Sequence, residues 1–90
     1  MKKRLQALFA GTVQGVGFRF TAERIARKFR VTGFVRNLPS GKVELVAEGE
    51  ESVVGEFLAE VEKAFDSYIL DVEKKWSERP EGFESFGIRF

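Results

Sequence analysis

The 90-residue sequence predicts an α+β sandwich, an antiparallel-rich sheet with two helices on one of its faces. Two observations predict this class. Five segments have the alternating apolar pattern of strands, and two segments between them have apolar residues at helical spacing. Their order is β-α-β-β-α-β-β, and each helix can bury its one apolar stripe against the same face of the sheet. This is the split βαβ, ferredoxin-like arrangement with a short extra C-terminal strand.

The first half of the chain predicts a strand, a loop, a helix and a second strand. Residues 4–11 alternate loosely, which predicts the first strand, and a glycine-bearing loop follows over residues 12–17. The first helix is predicted from Phe18 or Phe20 to Phe29, and residues 31–37 predict the second strand. The apolar residues of this helix share one face at a period of 3.6: Phe18, Ala22, Ile25, Ala26 and Phe29.

The second half opens with a turn, because Pro39 and Gly41 occupy the positions that a type I turn favours in residues 38–41. The third strand is predicted over residues 42–48, with alternate apolar residues inward and Lys42, Glu44 and Glu48 outward toward solvent. The remaining elements are a helix over residues 52–65, a strand over 69–76, a turn at Arg79-Pro80-Glu81-Gly82 and a last strand over 86–90.

The composition excludes several kinds of chemistry. The chain has no Cys and no His, which rules out disulfides, a thiol nucleophile and any imidazole base. The net charge of +1 conceals an asymmetry, with +8 over residues 1–36 and −7 over residues 37–90. Such a split suggests binding of an anion or of nucleic acid. No segment has the length or apolarity of a signal peptide or a membrane span, so we expect a cytoplasmic protein without a membrane partner.

The loop before the first helix is the best candidate for a site. Gly15 and Gly17 allow positive φ and close approach of the backbone, and the helix that follows has unpaired N–H groups in its first turn. Such groups favour a phosphate, and the guanidinium of Arg19 could bind two phosphate oxygens. An ordinary turn and a solvated arginine would give the same local sequence.

Asn37 is the second candidate. The helix of a β-α-β unit returns the chain, so the first two strands run parallel and end at the same edge of the sheet. This places Asn37, at the end of the second strand, beside the loop of residues 12–19. An Asn before Leu-Pro is often only a turn former. Next to an anion site, its amide could instead orient a water.

Two motifs resemble the signatures of the acylphosphatase family. The first runs from Gly11 to Arg19 (GTVQGVGFR), and the second runs from Gly33 to Val43 (GFVRNLPSGKV) and closes at Gly49. The spacing between the motifs and the final FGIRF also fit, so the resemblance covers essentially the whole chain as one domain over residues 1–90. The fold that it implies is the ferredoxin-like sandwich predicted above.

The resemblance also implies a function. The family hydrolyses acyl phosphates to carboxylate and phosphate without a metal or other cofactor. The implied catalytic residues are Arg19, which binds phosphate, and Asn37, which orients water. The implied phosphate-binding residues are Gln14, Gly15, Val16, Gly17, Phe18 and Arg19, and the backbone of residues 14–18 would complete the phosphate site. The implied partner is a small acyl phosphate, with inorganic phosphate or sulfate as competing anion. We further expect a monomer that binds no nucleic acid.

Two positions depart from the family pattern. Arg30 replaces a glycine at the end of the first helix, and a left-handed conformation there would cost about 1 kcal/mol. Residues 66–68 (Asp-Ser-Tyr) replace a Gly-Pro pair after the second helix. Both lie away from the matched catalytic positions, so we expect local changes of geometry.

Two other functions are compatible with the predicted fold. An RNA-binding domain of the RRM type would use stacking aromatics on the open sheet face, and Glu44 and Glu48 on that face would repel RNA phosphates. A domain that binds a phosphate compound without hydrolysing it also occurs in larger carbamoyl-transfer proteins. The presence of both Arg19 and Asn37, in a chain that begins and ends with the domain, favours a free-standing enzyme.

Overall fold

The secondary structure follows the predicted order. The computed structural model describes residues 2–78 and 82–90, so most of the turn predicted at residues 79–82 lies outside the described residues. The elements are β1 (Lys2–Gly11), α1 (Phe18–Ala26), β2 (Thr32–Asn37), β3 (Val43–Glu50), α2 (Glu51–Ala64), β4 (Ile69–Ser77) and β5 (Phe86–Arg89). No helix among the described residues is long and apolar enough to cross a membrane.

The five strands form one mixed sheet in the order β4-β1-β3-β2-β5. β3 pairs antiparallel with both β1 and β2, which therefore run parallel to each other, and β5 adds a parallel pairing at the outer edge of β2. Phe9 and Asn37 both pair with Val43, one on each side of it. This register confirms the α+β prediction and places the C-terminal ends of β1 and β2 at the same edge.

The core between the sheet and the helices fixes the start of α1. Phe18 is almost completely buried, and its ring centroid lies 4.9 Å from that of Phe9 and 4.6 Å from that of Phe65. Val13, at the beginning of the loop, is also fully buried. Because both ends of the loop are anchored in close-packed apolar contacts, the residues between them are held in a defined position.

The first helix is shorter than predicted. α1 ends at Ala26, and residues 27–30 continue as turns whose N–H groups bond three residues back, from Lys28 to Ile25 and from Phe29 to Ala26. Among the described residues only glycines have positive φ. Arg30 is therefore not left-handed, and the strain expected there does not arise.

Glu44 and Glu48 correct the prediction for the third strand. Both carboxylates lie on the face away from the helices, as predicted, but they are buried, with exposures of 7% and 3%. Glu44 accepts hydrogen bonds of 2.6 Å from Gln6 Nε2 and from Arg36 Nε. Glu48 accepts hydrogen bonds from the N–H groups of Gly82 and Phe83. The alternation of the strand indicates the face correctly, but it does not show that the segment ending in β5 covers that face.

This covering also bears on RNA binding. Phe34 lies on the same face with an exposure of 8%, because Phe83 packs edge-on at 5.7 Å and the Arg89 guanidinium lies 3.8 Å above the ring centroid. A base cannot stack on a ring covered in this way. The two glutamates are not the free charges toward RNA that the sequence predicts, because both carboxylates are buried and hydrogen-bonded within the protein.

Replacing Glu44 with Gln is expected to lower the free energy of unfolding by about 1–3 kcal/mol at pH 7, the scale of hydrogen bonds to a charged group. Burial alone would raise the pKa of Glu44, but the bonds from Gln6 and Arg36 and the positive charges of Arg36 and Arg4 hold it below the ordinary 4.5. The stabilisation is therefore present above that value and is lost as the pH falls through the lowered folded-state pKa.

Urea unfolding of the wild type and of Glu44→Gln at pH 7 and at about pH 3 checks this expectation, since the difference between them should shrink at the lower pH. Glu56→Gln is the matched control, because Glu56 is exposed on α2 and its removal should change stability by less than about 0.5 kcal/mol. A difference that persists unchanged at low pH would contradict the assigned role of the carboxylate.

Candidate active site

The loop of residues 12–17 has the geometry of an anion-binding backbone. Gly15 and Gly17 both have φ near +78°, and an added Cβ would meet no atom within 4 Å at either position. Glycine is therefore required by the backbone conformation rather than by space. Within the described chain, no N–H from Gly15 to Phe18 donates to a protein acceptor, and the first bond of α1 runs from Thr21 N–H to Gly17 O. These N–H groups are available to a ligand.

A cavity of about 270 Å³ lies at this loop. It brings together most of the site residues predicted from the sequence, and its lining is Val13, Gly15, Gly17, Phe18, Arg19, Phe20 and Asn37. Gln14 and Val16 belong to the same loop but do not line the cavity, because the Gln14 side chain bonds to the β2–β3 turn and Val16 packs on the core.

Arg19 is held by neutral groups. Its Nη1 donates a 3.4 Å hydrogen bond to the carbonyl oxygen of Arg89, and its guanidinium carbon lies 4.7 Å from the ring centroid of Phe90. No Asp or Glu of the described residues forms a salt bridge with it. The positive charge is thus oriented without being neutralised, which suits a group that binds an anion.

Asn37 ends β2, and its side-chain amide has no hydrogen-bond partner in the part of the chain that the structure describes. The turn that follows is closed by backbone bonds alone, from Gly41 N–H to Leu38 O and from Leu38 N–H to Lys42 O. The reading of Asn37 as a turn former therefore has no support in the geometry. Asn37 lines the cavity, and its side-chain amide can both donate and accept a hydrogen bond.

Gln14 connects the loop to this turn. Its Nε2 donates to Leu38 O at 2.8 Å and to Lys42 O at 2.9 Å, while the N–H of Thr12 donates to Tyr68 O at 3.0 Å. The loop is thereby fixed to the turn beside Asn37 on one side and to the turn of residues 66–68 on the other. The departure from the family pattern at 66–68 leaves an ordinary hydrogen-bonded turn in place.

Sequence reasoning missed Phe20 and the contacts between Arg19 and the segment ending at Phe90. Phe20 lines the cavity with its side chain largely exposed. A signal for it was present, because Phe20 is an aromatic residue in α1 that does not belong to the apolar stripe. The contacts of Arg19 had no such signal, since they join residues 70 positions apart.

Comparison with known proteins identifies the family. The acylphosphatase family model matches residues 5–88. The acylphosphatase of Thermotoga maritima is 38% identical over 88 residues, which cover 98% of each chain.

Solved structures show the same likeness. The crystal structure of acylphosphatase from Bacillus subtilis superposes with a TM-score of 0.90 at 33% identity, covering 98% of this chain and 99% of that one. Full-length HypF, solved in a phosphate- and nucleotide-bound form, matches with a TM-score of 0.89 at 32% identity over 100% of this chain and 12% of HypF. With nearly its full length matched in sequence and in structure, the chain belongs to the acylphosphatase family, hydrolases that act on acid anhydrides.

Proposed function

We propose that the protein hydrolyses acyl phosphates, with Arg19 and the loop N–H groups binding the phosphate and Asn37 orienting the attacking water. The observation that carries this proposal is the shared cavity. An arginine without an acidic partner, the unpaired backbone donors of a glycine loop and a free Asn amide meet in one space. The family assignment supplies the substrate class.

The phosphate is bound by charge and by backbone dipoles. The Arg19 guanidinium donates to two phosphate oxygens, and the N–H groups between Gly15 and Phe18 donate to the others. In phosphoryl transfer, catalysis consists mostly of positioning and of stabilising the charge that redistributes over these oxygens. Arg89 O and the Phe90 ring hold the guanidinium in place for this task.

The proposed hydrolysis needs neither an imidazole nor a thiol, and its atoms and charges balance. The water oxygen, oriented by the Asn37 amide, forms a bond to phosphorus, and the bond between phosphorus and the acyl oxygen breaks. The carboxylate leaves with the bonding electron pair, which is favourable because its conjugate acid has a pKa of about 4–5. One proton of the water stays on its oxygen, and the other moves to a phosphate oxygen. An acyl phosphate dianion and water thus give a carboxylate and dihydrogen phosphate.

The direct test is release of phosphate from benzoyl phosphate by the purified protein, with and without EDTA. We expect hydrolysis well above the spontaneous rate, unchanged by the chelator and inhibited competitively by inorganic phosphate or sulfate. Binding of phosphate without hydrolysis of any acyl phosphate would favour a non-catalytic binding domain. Loss of activity with EDTA would show a metal requirement that the proposal does not include.

Further expectations concern the oligomeric state, the location and the partners of the protein. A monomer, a cytoplasmic location and the lack of nucleic-acid partners stay predictions. Retention on RNA that falls steeply with added salt would contradict the last of these.

Gln14→Ala is expected to lower kcat/KM for benzoyl phosphate about tenfold, because it removes both bonds that fix the loop beside Asn37 and small misplacements are costly in a preorganised site. Steady-state kinetics measures the loss, and Gln14→Glu should share it, since a carboxylate cannot donate to the two carbonyl oxygens. Gln6→Ala is the matched control: it removes another partly buried amide hydrogen bond, to Glu44, and should lose stability while keeping kcat/KM. Equal kinetic losses in Gln14→Ala and Gln6→Ala would show that Gln14 acts only through stability.

A further inference from the structure

Phe20 has an exposed side chain, and neither packing nor solubility explains this exposure. It lies in the first turn of α1 with 62% of its surface accessible, while Phe18, two residues earlier, is buried in the core. A phenyl ring left in water forgoes the favourable burial that the ring of Phe18 has. Phe20 is also the next residue after Arg19 and belongs, with Arg19, to the lining of the same cavity.

The rest of the cavity lining shows what the exposed ring can contact. Val13 and Phe18 are buried, and Gly15 and Gly17 contribute only backbone. Arg19 and Asn37 are polar, which leaves Phe20 as the exposed apolar side chain of the described lining. Phe90, whose ring packs on Arg19 and is 92% exposed, adds a second aromatic surface beside the guanidinium.

The charge of the cavity lining limits the kinds of acyl group that it can bind. Arg19 is the one cation among the described residues that line it, and its guanidinium is assigned to the phosphate. An acyl group bearing a second phosphate or a carboxylate would find no further cation in this lining. An apolar acyl group would instead cover the ring of Phe20 and remove it from water.

We infer that Phe20 determines specificity on the acyl side of the site and favours substrates with an apolar, aromatic-sized acyl group over small or charged ones. This inference rests on the proposed acyl phosphate hydrolysis and names the class of acyl group. Phe20 contacts the part of the substrate that becomes the carboxylate product, whereas Arg19 and Asn37 act on the phosphate and the water.

The test compares kcat/KM for benzoyl phosphate, acetyl phosphate and succinyl phosphate in the wild type and in Phe20→Ala. The ratio of benzoyl to acetyl phosphate is expected to fall about tenfold in the variant, equivalent to about 1.4 kcal/mol. The change should appear mainly as a raised KM for benzoyl phosphate. Differences in intrinsic reactivity between the substrates cancel, because each ratio is compared between two forms of the enzyme.

Phe20→Leu and Trp76→Ala complete the design. Leu keeps an apolar side chain, so Phe20→Leu should retain most of the preference. Trp76 is a partly exposed aromatic paired with Leu5, at the other end of β4 from the loop, and its removal should leave the ratio within about twofold of the wild type. An unchanged ratio in Phe20→Ala, or an equal fall in Trp76→Ala, would overturn the inference while leaving the hydrolysis itself established. If the wild type hydrolyses none of the three substrates, the proposed function fails and this inference with it.

Discussion

Arg19→Gln is expected to lose phosphate affinity and turnover together, with kcat/KM for benzoyl phosphate reduced about 10³-fold or more. The guanidinium lines the cavity beside the glycine loop, and no Asp or Glu of the described chain neutralises it. A neutral amide cannot replace its charge or its planar pair of donors. Because the proposal assigns the same contacts to the product phosphate, the inhibition constant of inorganic phosphate should rise in parallel.

Steady-state kinetics and inhibition by phosphate measure both effects. Arg24→Gln is the matched control, because it removes an equal charge from the last turn of the same helix and should change kcat/KM less than about twofold. Arg19→Lys separates charge from geometry: it keeps the charge but loses the planar fork, so we expect it to recover only part of the activity. Comparable losses in Arg24→Gln and Arg19→Gln would mean that the overall positive charge, and not the position of Arg19, accounts for binding.

Asn37→Ala is expected to separate turnover from binding, with kcat lowered about 10²–10³-fold while inorganic phosphate still binds with near-normal affinity. The Asn37 amide has no protein partner among the described residues, and the turn after it is closed by backbone bonds. Its removal should therefore take away the proposed water-orienting group and leave the phosphate-binding loop and the fold intact.

The stability of Asn37→Ala provides the internal control. Urea unfolding should change by less than about 0.5 kcal/mol, because no hydrogen bond of the turn involves the side chain. If Asn37 were instead a turn former, the variant would lose stability and keep most of its turnover. Near-wild-type kcat in a fully folded Asn37→Ala would remove Asn37 from the mechanism.

The order of the elements along the chain and the meeting of Arg19 with Asn37 could be predicted from the sequence, because both follow from local patterns and one topological rule. Apolar periodicity located the strands and helices, and a β-α-β unit must place the ends of its two strands at one edge. In this protein Phe9, near the end of β1, and Asn37, at the end of β2, both pair with Val43, which shows that the two strands end at the same edge.

The environments of Glu44, Glu48 and Gln14 could not be predicted in the same way. Alternation along β3 assigns the glutamates to the face without helices. Their burial depends, besides Arg36 on the neighbouring strand, on Gln6 and the segment of Gly82 and Phe83, which are distant in sequence. Gln14 was expected to act through its backbone, and nothing local indicates that its side chain reaches the carbonyl oxygens of residues 38 and 42. Hydrogen bonds between residues that are distant in the sequence depend on the three-dimensional fold and leave no local pattern in the sequence.

The contact between Arg19 and the last strand couples the site to a short strand at the edge of the sheet. β5 has four residues and pairs with the rest of the sheet only through β2, so it lies at an edge. Short edge strands open by local fluctuation at a lower free energy than strands in the middle of a sheet. Release of the Arg89 carbonyl and the Phe90 ring from the guanidinium therefore requires only this local opening. If Arg19 binds the phosphate as proposed, we therefore expect denaturant to reduce activity at lower concentrations than those that unfold the whole protein.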